Sequence, residues 1–225
     1  MSYYNQIRVL VWKDLASEFR SKEMLNSMLI FALLTTVIFS FAFDPEADTV
    51  KKVFPGVIWV ALCFAGILGL NRSFQGEKSN DCFMGLLLCT PDPGVVYLGK
   101  LFSNLIFMLI IELISLPILF LLFDYRLQGS LGWLVLVIAL GTWGFIAIGT
   151  FLSALAMNTK NSELLLPVIL FPLLIPLLIA AVKATGLILG GGDFASWSNW
   201  LGIICSFDLI FTVVSWFLFD YVLEV

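Results

Sequence analysis

Two carboxylic acids, Glu112 and Asp208, sit in the middle of long apolar runs, where few side chains can do chemistry and these two can. A carboxyl group inside a membrane is costly, and by default it marks a function. No Lys or Arg occurs at matching depth, since Lys183 falls at the outer end of its run. Each acid is therefore cheaper as a neutral hydrogen-bond donor than as an ion. Two readings stay open. The pair forms a proton relay or a polar lining for cargo, or each acid makes an inter-helix hydrogen bond to a residue such as Ser115, Thr142 or Ser206.

Other chemistry is thin. The chain of 225 residues has no histidine, which removes the commonest metal ligand, proton shuttle and heme ligand together. Its cysteines are Cys63, Cys82, Cys89 and Cys205, without the close pairing of a zinc or redox site, and they read as small hydrophobes. Gly94 to Lys100 has the glycine and lysine spacing of a phosphate loop. The next residue is Leu101 rather than the Ser or Thr that binds magnesium, and the stretch enters an apolar run with no α/β unit around it. No nucleophile–base pair or metal cluster is visible. The chain reads as a non-enzyme with no catalytic or metal-binding residue, no cofactor of its own and no nucleotide engine.

The elements that carry these residues follow from composition. With 60% hydrophobic and 12% charged residues and a mean hydropathy of +1.03, this is an all-α integral membrane protein. A net charge of −4 argues against nucleic acid as a partner. A helix needs roughly 20 apolar residues to cross the hydrocarbon core. Six stretches qualify: 24–43, 53–70, 101–123, 131–157, 164–182 and 200–219. With the N-terminus inside, the inner segments hold Arg8, Lys13, Arg20, Lys22, Arg72, Lys78, Lys100 and Lys160, against Lys51, Lys52, Arg126 and Lys183 outside. That bias places both termini in the cytoplasm. Trp133, Trp197, Trp200, Trp216 and Tyr221 fall at span ends, where amphipathic rings belong.

Two segments on the inner side are amphipathic. Residues 1–23 place Tyr4, Ile7, Val11, Leu15 and Phe19 at helical spacing, with Trp12 and Ala16 beside them. This predicts a helix along the membrane surface, with a soluble extension of the first span as the alternative. The long connection 71–99 carries Ser79-Asn80-Asp81 as a helix start ahead of Phe83-Met84-Gly85-Leu86-Leu87-Leu88, and Thr90-Pro91-Asp92-Pro93-Gly94 as a stop. A short helix there either offers a grip to a partner protein or rests on the membrane surface.

Within the fifth span, Pro167, Pro172 and Pro176 predict a kinked or broken helix. Residues 184–197, with Leu187-Ile188-Leu189 before three glycines, read as a re-entrant element or a flexible loop. Ala61, Ala65 and Gly69, and Gly149 and Ser153, mark faces for close packing, within the chain or between two copies.

Several stretches in this order resemble the heme exporter protein B family, CcmB, an ABC-2 type permease half of cytochrome c maturation. They are "WKDLASEFRSKEMLN", "FDP", "PGVIWVALCFAGILGLNRSF", "LLLCTP" and "LPVILFPLLIPLLI", with Pro55, Gly56, Trp59, Arg72 and Phe74 the most distinctive block. The resemblance runs nearly the whole length. It implies a multi-pass protein of the bacterial inner membrane: residues 1–23 a cytoplasmic amphipathic helix, 24–225 a six-span permease domain, and 71–99 the coupling segment. Two copies would pair with two copies of an ATPase, CcmA, which carries the ATP, through Phe74, Glu77, Asp81, Phe83 and Leu86. CcmC, CcmD and the heme chaperone CcmE would be further partners, besides membrane lipid. Heme would be the cargo, or ATP would drive release of heme-loaded chaperone, and the absence of histidine favours the second. The alternatives are an ABC-2 permease for another lipophilic substrate and a proton-coupled secondary transporter using Glu112 and Asp208. Secondary transporters often show two related halves, and no repeat relates residues 1–112 to 113–225.

Overall fold

A computed structural model describes residues 3–43, 48–74, 92–157 and 162–223. Among them the chain forms seven helices and no strand: α1 (Tyr3–Ser21), α2 (Glu23–Ala42), α3 (Asp48–Ser73), α4 (Pro93–Leu122), α5 (Leu131–Met157), α6 (Ser162–Leu189) and α7 (Phe194–Leu223). The six from α2 to α7 are long and apolar enough to cross a membrane, as hydropathy requires.

Several boundaries differ from the sequence reading for local reasons. α4 begins at Pro93, not at 101, because Asp92 caps it: its Oδ1 accepts the Gly94 N–H at 2.9 Å, and proline suits the first helical turn. Pro93 thus starts a helix that it was expected to stop, and the phosphate-loop look-alike is the first two turns of α4. The connection expected over 71–99 shrinks accordingly, since α3 runs to Ser73.

α6 is neither broken by its prolines nor followed by a re-entrant element. It continues through Pro167, Pro172 and Pro176 to Leu189 as one helix. Leu166, Leu170, Leu174, Leu177, Ala181, Ala184 and Ile188 form a buried stripe that holds it, while Pro172 and Pro176 face outward. Only residues 190–193 connect it to α7. Gly191, at φ +74°, makes that turn possible: its N–H bonds the Ile188 carbonyl at 3.0 Å, and the Gly192 N–H bonds the Leu187 carbonyl at 2.8 Å.

α1 is a separate helix, not a straight extension of α2. Lys22, with φ 58°, turns the chain, and the Glu18 carboxylate accepts the Leu25 N–H at 2.9 Å. α1 packs chiefly on α4. Ile7, Val11 and Leu15 are half-buried, whereas Tyr4, Trp12 and Phe19 are exposed.

α5 is the hub, in contact with α3, α4, α6 and α7. Its small residues let the others approach. The Trp59 ring of α3 sits against Gly141, where a methyl group would overlap its outer edge. The Trp59 indole N–H then reaches across to Thr185 Oγ1 of α6 at 3.1 Å, so one side chain ties three helices together. The faces flagged for close packing are used within the chain: Met28 lies over Gly69, Leu70 lies over Gly149, and the Ser153 hydroxyl donates to the Leu70 carbonyl at 2.6 Å. At the end of the bundle away from Lys100, Phe54 gathers Phe120, Phe123 and Tyr125 at centroid separations of 5.2, 5.3 and 4.5 Å.

Filling the Trp59 seat is expected to separate α3 from α5. Gly141→Val should destabilise the purified protein by about 1–3 kcal/mol, the usual range for overpacking. Thermal unfolding in detergent reads this out. Adding Trp59→Leu to Gly141→Val should recover part of the loss, because it removes the overlapping ring.

Candidate functional site

The two intramembrane acids are both buried and both touch α5, two positions apart. Glu112, on α4, accepts a hydrogen bond from the Thr142 hydroxyl. Asp208, on α7, presses its Oδ1 against Gly144, beside Leu177 and Phe207, and a side chain at 144 would collide with it. Neither Asp208 oxygen has a hydrogen-bond partner among the described residues, and neither does the Ser115 hydroxyl. The Ser206 hydroxyl turns back to its own helix, donating to the Gly202 carbonyl at 2.8 Å. Of the three partners expected for the acids, the structure brings only Thr142 into place.

A denser polar cluster lies where α1, the end of α3 and the start of α4 meet. The Lys100 side chain is 7% exposed, and its Nζ stands 3.2 and 3.3 Å from the two Asp14 carboxylate oxygens. The same ammonium donates to the Ser73 carbonyl at 2.9 Å and lies 5.2 Å from the centroid of the Phe74 ring. Lys13 adds a second cation 3.3 Å from Asp14 Oδ1. Of the residues expected to contact an ATPase, Phe74 is 1% exposed beneath this cluster. Glu77, Asp81, Phe83 and Leu86 lie outside the described residues.

Sequence reasoning missed the Lys100–Asp14 pair because the partners are 86 residues apart and Lys100 read as one more inner-side charge. The signal was nevertheless present. Once Asp92-Pro93 is recognised as a helix start, Lys100 falls two turns inside an apolar helix, where an ammonium requires a partner.

Among the described residues, no group of three or more His, Cys, Asp or Glu could hold a metal ion. A void of about 10 Å³ lined by Met24, Met28, Leu70, Asn104, Phe107 and Ile146 has room for about one water, not for a cargo. The Asn104 amide beside it donates to Thr150 Oγ1 at 3.1 Å.

Comparison with known proteins gives a consistent picture. The family described as CcmB protein matches residues 5–225. A heme exporter protein B from Paracoccus denitrificans is 30% identical over 190 residues, covering 83% of this chain and 85% of the relative. Its counterpart from Pseudomonas aeruginosa is 26% identical over 209 residues, 92% and 93% of the two chains. That from Escherichia coli K12 is 30% identical over 173 residues, 76% and 77%.

The two acids should respond differently to removal of their surroundings. Thr142→Val leaves the buried Glu112 carboxyl without this partner and should cost about 1–2 kcal/mol, more than the bond itself contributes, because a buried polar group is left unsatisfied. Asp208→Val removes a group that has no hydrogen-bond partner among the described residues and should be neutral or stabilising. Unfolding in detergent compares the pair, and a larger loss for Asp208→Val than for Thr142→Val would refute this ordering.

Proposed function

The chain belongs to the CcmB protein family, and from that premise we propose that it is the transmembrane permease subunit of an ATP-driven complex of cytochrome c biogenesis. The supporting observation is the family match over residues 5–225, beside which the described residues hold no group of three or more His, Cys, Asp or Glu that could bind a metal ion. The phosphate-loop look-alike is helical, and its lysine is already engaged by Asp14 and the Ser73 carbonyl. ATP hydrolysis therefore belongs to a separate subunit, CcmA in this family. That subunit docks on residues 75–91 through Glu77, Asp81, Phe83 and Leu86, while Phe74 anchors the start of the segment.

The relatives carry the name heme exporter, which makes heme the cargo on the direct reading. Release of heme-loaded chaperone CcmE is the second reading, favoured by the absence of histidine and by the tight packing around Asn104. In both, two copies pair with two ATPase subunits in the bacterial inner membrane, alongside CcmC and CcmD. The end of the bundle that holds Lys100 faces the cytoplasm, as eight of the twelve Lys and Arg residues require. α1 lies along the inner leaflet, with exposed Tyr4, Trp12 and Phe19 toward lipid and Arg8, Lys13 and Arg20 at the headgroups. Asp208, without a hydrogen-bond partner among the described residues, is an observation on the side of proton-coupled transport.

Copurification with the candidate ATPase in mild detergent tests this reading. Wild type should retain the ATPase, and a folded Phe83→Asp, Leu86→Asp double variant should lose it, since charges in an apolar docking face cost several kcal/mol. No retention by wild type would sink the ATP-driven reading and raise the proton-coupled one.

A further inference from the structure

Lys100 lies inside the membrane-spanning helix α4, yet its ammonium is almost sealed from solvent. If packing alone were needed here, a leucine or methionine would serve at lower cost, because a buried ion pair is a poor source of stability. What such a pair supplies is register: a charge that must be satisfied fixes which surfaces meet, and how.

The surfaces fixed here are three. Asp14 belongs to α1, the Ser73 carbonyl and Phe74 to the end of α3, and Lys100 to α4. α1 has no buried residue and packs chiefly on α4, so little else holds it. Its apolar contact lies next to the pair: a Cβ on Gly99 would stand 3.0 Å from both Cβ and Cδ1 of Leu10. The end of α3 and the start of α4 are also the two described ends nearest in sequence to residues 75–91.

We propose that Lys100 is a positioning residue: by binding Asp14 of α1 and the Ser73 carbonyl of α3 at once, it makes α1, the end of α3 and the start of α4 move as a single body. On the permease reading, force that a partner ATPase applies between those ends then reaches α1 and α4 together. Lys100 transmits the stroke and takes no part in hydrolysis or cargo binding. The mechanical part stands without that reading.

The test uses the full-length chain in inside-out vesicles, with Cys63, Cys82, Cys89 and Cys205 replaced by Ala and Leu10→Cys as reporter. Modification of that thiol by a membrane-impermeant maleimide reports how often α1 lifts from α4. Lys100→Met should speed labelling about tenfold or more, because Asp14 is then left with Lys13 of its own helix and the charge that held α1 to α3 and α4 is gone. Asp14→Asn should do the same. The double variant should be no faster than the quicker single one, the non-additivity expected of a shared contact. Lys100→Arg, which keeps the charge and the donors, should label like wild type.

In cells, Lys100→Met should retain the ATPase on copurification yet lower the yield of mature c-type cytochrome about tenfold. Gly99→Val, which pushes Leu10 away without touching a charge, should reproduce that loss. Unchanged labelling in Lys100→Met, or additive effects of Lys100→Met and Asp14→Asn, overturns the proposal. Tenfold faster labelling with normal cytochrome yield overturns the transmission step alone. If wild type fails to retain the ATPase, the permease reading falls, while labelling still decides whether Lys100 holds α1.

Discussion

In hydrocarbon there is no water to complete a hydrogen bond, so a polar side chain that enters is costly unless it finds a partner there. In this bundle the partner is usually α5. Thr142 serves Glu112, the Ala147 carbonyl takes the Tyr97 hydroxyl at 3.1 Å, and Thr150 takes the Asn104 amide. Trp143 reaches Thr212 on α7 at 3.0 Å, and Ser153 reaches back to Leu70 on α3. Bonds of this kind contribute only about 0.6 kcal/mol each in membranes, so no single one holds the fold. Their effect is positional. Each fits only if two helices sit at one height and one rotation, and the Gly, Ala, Ser and Thr surface of α5 brings the backbones close enough for that to matter.

This explains what could be read from the sequence and what could not. The six spans were legible because hydropathy over about 20 residues is an additive property that neighbours do not alter. Their ends were less so. Pro93 looked like a stop because proline breaks helices, but after a capping Asp92 the same residue begins one. The prolines of α6 looked like breaks because the stripe from Leu166 to Ile188 that outweighs them is a tertiary fact. Gly190-Gly191-Gly192 looked like part of a re-entrant element or a loose loop, when it closes α6 with three hydrogen bonds.

The residues that invited chemistry and the residue that was overlooked differ in how each escapes the cost of burial. A carboxyl in the membrane can bind a proton and become a hydrogen-bonding group, which lets Glu112 settle with Thr142 alone. Lys100 takes another route, gathering a carboxylate, a carbonyl and an aromatic face from two other parts of the chain. The first solution is local to a helix pair. The second has to organise three elements, so the charge with the less conspicuous sequence context has the larger structural reach.

The same logic accounts for the block that carried the family resemblance. Pro55 packs near Gly186 of α6, Trp59 ties α3 to α5 and α6, and Phe74 underlies Lys100. Arg72, by contrast, makes an exposed pair 3.8 Å from Glu23, of little energetic weight. Three of these residues are therefore points of fit, not reagents. On the permease reading, such a subunit needs shape that moves as designed, and shape is held by knobs, seats and one buried charge. Such a chain is recognisable by the order of its packing residues along α3 and not by any motif that reacts. On that reading its function is to be sought at the junction of α1, α3 and α4.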